Sequence, residues 1–421
     1  MAEAGRTARR GARRLRAPIL TVLVALALAA TAVIAYRVLA PTEVVTPARA
    51  DYPQPPAAAP GVVGRLSVAP LLVDGRLRLY AAERQVRVDG PVDAEAQLTP
   101  YWSYRRWPQR LVGVAASGTT VISRWSDGVL VAIDAPTGRP RWRAAGPSPS
   151  TRDYLGRRTG AATVYTPPGL HTATAPDGRA TVIVEGVGGV RGYDPRTGEE
   201  RWRVDGDCER DGFTTATGWY VTVDTCAATL RFRDAATGQL LRDWRPTQPG
   251  IAAEQIEPVG CLVARSGCRA LRAGGERGWL FDPPGPTAAP GLTPDSWLVD
   301  ELAVTFDADQ ATVTARGVRD GRTRWRVTVP GARGARLIAA QPGRVHLLTV
   351  ARELVTVDAA TGAERSRFVL RTGREKTNWA PGFAYAAEGY VAVERLWEPV
   401  NPRAKDDRYY RSAEPVIFAA T

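Results

Sequence analysis

Short apolar runs, Val129–Ile133, Leu230–Phe232 and Leu354–Val357, each lead into a polar turn and then into a segment where bulky and charged side chains alternate. Alternation with period two is the mark of a strand with two different faces. The pattern therefore predicts strand–turn–strand units and hardly any helix beyond residue 40. The turns share one form, Asp-x-x-Thr-Gly, at Asp134–Gly138, Asp194–Gly198, Asp234–Gly238 and Asp358–Gly362. Aspartate can accept from backbone N–H groups two residues ahead, and glycine supplies the positive φ that closes the turn. Four residues after Gly138, Gly198 and Gly321 stands a tryptophan between arginines: Trp142 (Arg141, Arg143), Trp202 (Arg201, Arg203) and Trp325 (Arg324, Arg326). After Gly238 and Gly362 the aromatic comes at the sixth position, as Trp244 and Phe368. Four and six have the same parity, so the ring keeps to one face of its strand and the flanking arginines take the other.

The marker glycines 138, 198, 238, 321 and 362 are separated by 60, 40, 83 and 41 residues, a unit of about 40 that matches a four-stranded propeller blade. The gap of 83 hides a degenerate unit with its turn near Gly278–Pro283, and the gap of 60 holds an insertion between Gly146 and Gly178. Six blades are predicted over 109–370. Residues 61–90 and 371–421 are expected to complete a seventh, with eight blades as the alternative.

On these motifs the chain resembles the PQQ-like β-propeller repeat proteins, above all the membrane-anchored members of high-GC Gram-positive bacteria. The resemblance covers about residues 61–421, and its fullest copies lie at 134–142 and 194–202. It implies an all-β fold in which Trp142, Trp202, Trp244, Trp325 and Phe368 dock one blade on another. Enzymes and non-enzymes share that device, so it carries little about function. Members that bind PQQ hold it with a disulfide of adjacent cysteines and with calcium ligands that include Asn. Here no two cysteines are adjacent and the asparagines are Asn378 and Asn401, so no cofactor is expected.

Pro18–Tyr36 is an uncharged run of 19 residues, about 28 Å as a helix, and six arginines precede it. This predicts a transmembrane helix over 18–40 with a basic cytoplasmic tail, 1–17, and the propeller outside. Ala48-Arg49-Ala50 offers a signal-cleavage alternative, though it lies far beyond the apolar run. The proline-rich stretch 41–60 reads as a semi-rigid spacer. Of the net charge of +13, the first forty residues carry +6; the remaining +7, spread over a large domain, suggests a mildly basic surface and no nucleic-acid groove.

Four cysteines would face an oxidising compartment. Sequence proximity favours Cys208–Cys226 and Cys261–Cys268 as disulfides, while a zinc site is the rival that their spacings do not fit. His171 lies in the insertion and His346 within a strand, and no Ser/His/Asp constellation surrounds either. Asp307 and Asp309 suit a hairpin turn better than a calcium loop. Tyr101, Trp102, Tyr104, Arg105, Arg106 and Trp107 form a stretch that could be a partner patch or could seat the N-terminal segment on the first complete blade. A charged loop with Lys405, Asp406, Asp407 and Arg408 is a further exposed candidate. The expected role is a membrane-anchored, non-catalytic scaffold for envelope protein partners. A propeller binding a ligand or an anionic wall polymer, and a PQQ-dependent oxidoreductase, are the alternatives.

Overall fold

The computed structural model describes residues 22–33, 40–95, 99–152, 154, 159–245, 255–263, 265–274, 277–373, 378–397 and 412–421. The charged loop around Lys405–Arg408, the tail 1–17 and the flanks of the expected 18–40 span lie outside these residues. The chain divides into two units, Met1–Val44 with Arg106–Pro108, and Val45–Arg105 with Gln109–Thr421.

In the first unit the described residues include a helical run at 22–33, and Arg106 pairs with Glu43 at 3.2 Å. The twelve helical residues that are described rise about 18 Å, against the 30 Å of a bilayer core. Among the described residues no helix is long and apolar enough to cross a membrane. This corrects the expected span over 18–40, and with it the single-pass topology and the membrane as a partner.

The second unit is an eight-bladed β-propeller, with its strands gathered in eight antiparallel sheets. Blades 2 to 7 run over Leu111–Ala145, Leu170–Asp205, Glu209–Trp244, Ile256–Ala288, Trp297–Thr328 and Arg336–Val369. These are the six units legible in the sequence. The seven-blade count fails because Leu71–Trp107 forms a blade of its own, apart from the one that both ends of the propeller close. Blade 1 is complete in itself, Leu71–Val73, Leu77–Ala82, Gln85–Asp89 and Trp102–Trp107. It lacks the marker turn, since its last two strands are joined by the long link from Asp89 to Trp102. Blade 8 is composite: Ala380–Ala387, Tyr390–Leu396 and Val416–Ala420, completed by Gly61–Leu66 running antiparallel to Val416–Ala420.

The core lies between the blades. Trp142 packs with Leu130, Tyr193 and Val184 between blades 2 and 3; Trp202 packs with Ile183, Tyr220 and Ala235 between blades 3 and 4. Between blades 8 and 1, Tyr390 and Phe418 stack at 5.0 Å and join Leu72, Tyr80 and Val92. His346, fully buried between Gln341 and Thr356, is a packing residue whose pKa burial lowers to about 3, with Arg344 adding to the effect.

Candidate functional site

The repeated motif is a joint built by two successive repeats. The Trp142 indole N–H donates to Pro195 O at 2.9 Å, Trp202 to Ala235 O at 3.0 Å and Trp325 to Ala359 O at 3.0 Å. Each ring covers the turn glycine of the next blade. A Cβ on Gly198 would lie 2.5 Å from Trp142, one on Gly238 2.6 Å from Trp202 and one on Gly362 2.7 Å from Trp325. Glycine is thus required twice at these turns, for φ values of +76°, +72° and +77° and for the ring above. Trp244 meets Trp279 edge-on at 5.5 Å in place of a turn glycine, and Phe368 packs into the cluster that holds Trp379 and Leu370. Blade 5 has no docking tryptophan, so a Cβ on Gly321 would find nothing nearer than 3.6 Å.

The same turns explain the first arginine of each Arg-Trp-Arg. A β-bulge falls between Pro140 and Trp142, and it recurs after the later turns. From that position Arg141 reaches Asp134, Arg201 reaches Asp194 at 2.5 Å, Arg324 reaches Asp320 at 2.8 Å and Arg365 reaches Asp358. Asp358 also accepts from the N–H groups of Ala360 and Thr361, and its carboxyl is held at about 2, chiefly by Arg365.

Trp102 and Tyr104 are fully buried and Tyr101 nearly so, while Arg105 is exposed and Arg106 and Trp107 are half-buried. Trp102 donates to Ala135 O at 2.8 Å and covers Gly138, where a Cβ would lie 2.4 Å away. Sequence reading missed this joint because nothing resembling the marker turn precedes Trp102.

Two segments enter the region around the propeller axis, which the innermost strands line. The insertion between blades 2 and 3 contains a single helical turn, Ala161–Tyr165, whose buried Tyr165 donates to Pro70 O at 2.8 Å and stacks on Tyr385 of blade 8 at 4.2 Å. Arg124, 1% exposed, clamps the insertion by donating to Pro168 O, Gly169 O, Pro147 O and Glu185 O at 3.0, 3.1, 3.2 and 2.5 Å. Desolvation lowers its pKa to about 10. The second segment is the loop closed by Cys261–Cys268, which leaves blade 5 and pairs with blade 4 through Thr214 N–H to Arg265 O (2.9 Å) and Cys268 N–H to Thr214 O (2.8 Å). Val263 on this loop packs against the core shared by blades 1 and 2, so the loop crosses the axis.

Between the two segments opens a cleft of about 420 Å³, lined by Pro167–Gly169, His171, Glu185, Glu209–Gly212 and Arg265. His171 Nε2 lies 2.7 Å from Glu185 Oε1. Burial pushes Glu185 up, but His171, Tyr220 and Arg265 outweigh it and leave the carboxyl below its ordinary value. Gly212 makes room here, since a Cβ would come within 2.0 Å of Glu185 Oε1 and 2.6 Å of the Tyr220 hydroxyl. Glu209 is engaged by Arg231 at 2.9 Å, Arg233 at 2.6 Å and Thr222 at 2.7 Å. Sequence reading placed His171 in the insertion; it lies on the first strand of blade 3. Neither the cleft nor the crossing loop was foreseen, because they join residues from three separate repeats.

Cys208–Cys226 and Cys261–Cys268 are both disulfides. The one group with metal-ligand potential among the described residues, Cys208, Asp224 and Cys226, has both sulfurs bonded to each other, which leaves it one ligand. Among the described residues no complete catalytic or cofactor site is assembled: the His171–Glu185 pair faces no activated nucleophile.

A family model described as "Outer membrane protein assembly factor BamB" matches residues 186–394, just under half of the chain. No curated protein matches. Among solved structures, BamB from Moraxella catarrhalis is 15% identical with a TM-score of 0.45, covering 86% of this chain and 97% of that one. The computationally designed Ika8 protein is 14% identical with a TM-score of 0.46, over 86% and 99%. The WD40 domain of Sif2 is 10% identical with a TM-score of 0.44, over 86% and 98%. The expected kinship with membrane-anchored Gram-positive members is corrected by these findings: the matching model is that of an outer-membrane assembly factor, and among the described residues no helix is long and apolar enough to cross a membrane.

Proposed function

We propose that this chain is a non-catalytic binding propeller that receives a protein partner at the cleft beside its axis. The observation that carries the reading is the cleft itself. It is concave, it is fixed in shape by Arg124 and the Cys261–Cys268 loop, and its polar groups are arranged without a nucleophile. The match of residues 186–394 to a model named for an assembly factor supports a partner-binding role, and two disulfides support oxidising surroundings. A photo-crosslinking residue placed at exposed Asp211 on the cleft rim should capture a discrete protein in the native cell, and one at exposed Asp320, on an outer turn, should not. Equal labelling from both positions would refute the assignment.

One observation favours a second reading, an anionic ligand. Arg210 and Arg265 line the cleft without a salt-bridge partner among the described residues. Binding of a poly-glutamate probe that weakens steeply with salt, and is lost in Arg265→Gln, would support it. Probe binding unaffected by that substitution would remove it.

A further inference from the structure

The segment Cys261–Cys268 separates three cavities. Arg265 borders the cleft, Val263 and Ser266 border a cavity of about 220 Å³ beside Leu71 and Leu72, and Cys261 borders one of about 350 Å³ beside Trp297. The same segment acts as an added strand. Thr214 N–H donates to Arg265 O, Thr214 O accepts from Cys268 N–H, and Ala216 N–H donates to Cys268 O at 2.8 Å, so the backbone on the axial edge of blade 4 is occupied by this chain's own loop. Cys268 is fully buried in the cluster of Phe213, Leu271 and Trp219, whereas Cys261 is partly accessible.

We propose that the Cys261–Cys268 loop is a tethered occupant of a peptide-binding edge on blade 4, and that reduction of its disulfide vacates the edge. The thiolate of a dithiol reductant attacks the accessible sulfur of Cys261. The S–S bond breaks and Cys268 leaves as a thiolate that takes up a proton. The reductant's second thiol then attacks the mixed disulfide, so the reductant ends as a disulfide and both cysteines as thiols, two electrons having passed. Opening the eight-residue ring returns conformational freedom to the loop. The ligand that fits the vacated edge is an extended peptide, paired through its backbone to Thr214 and Ala216, with a small side chain where Cys268 now sits. The peptide as partner rests on the reading of a protein-binding propeller, but release of the loop is measured independently of any partner.

The test is hydrogen exchange of the full chain with the loop disulfide intact, after treatment with a phosphine reductant, and as Cys261→Ser/Cys268→Ser, which needs no accessible sulfur. Exchange at the Thr214 and Ala216 amides should quicken on the order of ten-fold in the latter two states. Cys208→Ser/Cys226→Ser, with the loop disulfide kept, should leave those amides protected. A fluorescent heptapeptide copying residues 262–268, with alanine for the final cysteine, should bind the serine variant and not the oxidised chain. Unchanged exchange in the serine variant overturns the release, and quickened exchange without peptide binding overturns the edge as a docking site. The Asp211 cross-link in the oxidised chain reports on the broader reading whichever way these results fall.

Discussion

Replacing Gly198 and Gly321 by alanine separates what the marker turn needs for its own backbone from what the joint between blades needs. Both glycines hold positive φ, +76° and +66°. An alanine in that region costs about 1 kcal/mol at either position. Only at Gly198 is the space also filled. The new Cβ would lie 2.5 Å from Trp142 Cδ2 and 2.6 Å from Cε3, whereas at Gly321 the nearest atom is Pro290 O at 3.6 Å. The Trp142 ring cannot yield freely, being 8% exposed and tied through its N–H to Pro195 O at 2.9 Å. Displacing it adds about 1–3 kcal/mol of overpacking and about 1 kcal/mol for the strained hydrogen bond. Gly321→Ala should therefore lower stability by about 1 kcal/mol and Gly198→Ala by about 3–5 kcal/mol. Urea denaturation followed by far-UV circular dichroism measures both. The decisive comparison is a double-mutant cycle: in a Trp142→Ala background the cost of Gly198→Ala should fall to about 1 kcal/mol. Equal costs at the two glycines, or no coupling to Trp142, would show that the ring does not bear on the turn and that the joint has been misassigned.

The neutral, buried His346 makes stability depend on pH. The folded state resists protonation down to about 3 while the unfolded chain protonates near 6.5, so stability is full above 6.5 and falls as pH drops toward 3. His346→Gln should flatten the fall between pH 6.5 and about 5, read from urea midpoints; an unchanged slope would mean the histidine is not the group responsible. Arg124→Met should cost about 2–4 kcal/mol by leaving buried carbonyls without donors, and should make residues 146–169 sensitive to limited proteolysis; cleavage elsewhere first would count against the clamp. Cys208→Ser/Cys226→Ser removes a link of sequence separation 18 and should lower stability by about 3 kcal/mol in urea titration; a loss below about 1 kcal/mol would show that this disulfide adds little to the bracing by the Glu209–Arg231–Arg233 ion cluster.

Blades carrying the Asp-x-x-Thr-Gly turn were legible because local chemistry dictates them, and even blade 5 showed as a gap of the right length. Blade 1 was hidden because its docking ring, Trp102, is reached by the long link from Asp89 in place of a marked turn. The pairing of Trp142 with Gly198, and not with Gly138 four residues before it, was also hidden, since a sequence gives spacing within a repeat but not which neighbour a face meets. The cleft was the least visible part. Its residues come from the insertion, two blades and a loop of a third, and only the closure of the ring brings His171, Glu185, Asp211 and Arg265 together. The hydrophobic run at 18–36 misled for a different reason: a hydropathy criterion reads composition alone, and among the described residues no helix is long and apolar enough to cross a membrane.

The arginines locked into this architecture change what the high isoelectric point means. Arg78, Arg124 and Arg395 are fully buried, and Arg141, Arg201, Arg324 and Arg365 are bound to aspartates of their own turns. The four turn pairs are already cancelled in the formal charge of +13, so what the fold withdraws from the surface is the charge of the three buried arginines. A polyanion approaching from solution therefore meets a somewhat weaker field than the composition implies, and retention on a cation-exchange resin should fall modestly short of what a formal charge of +13 suggests.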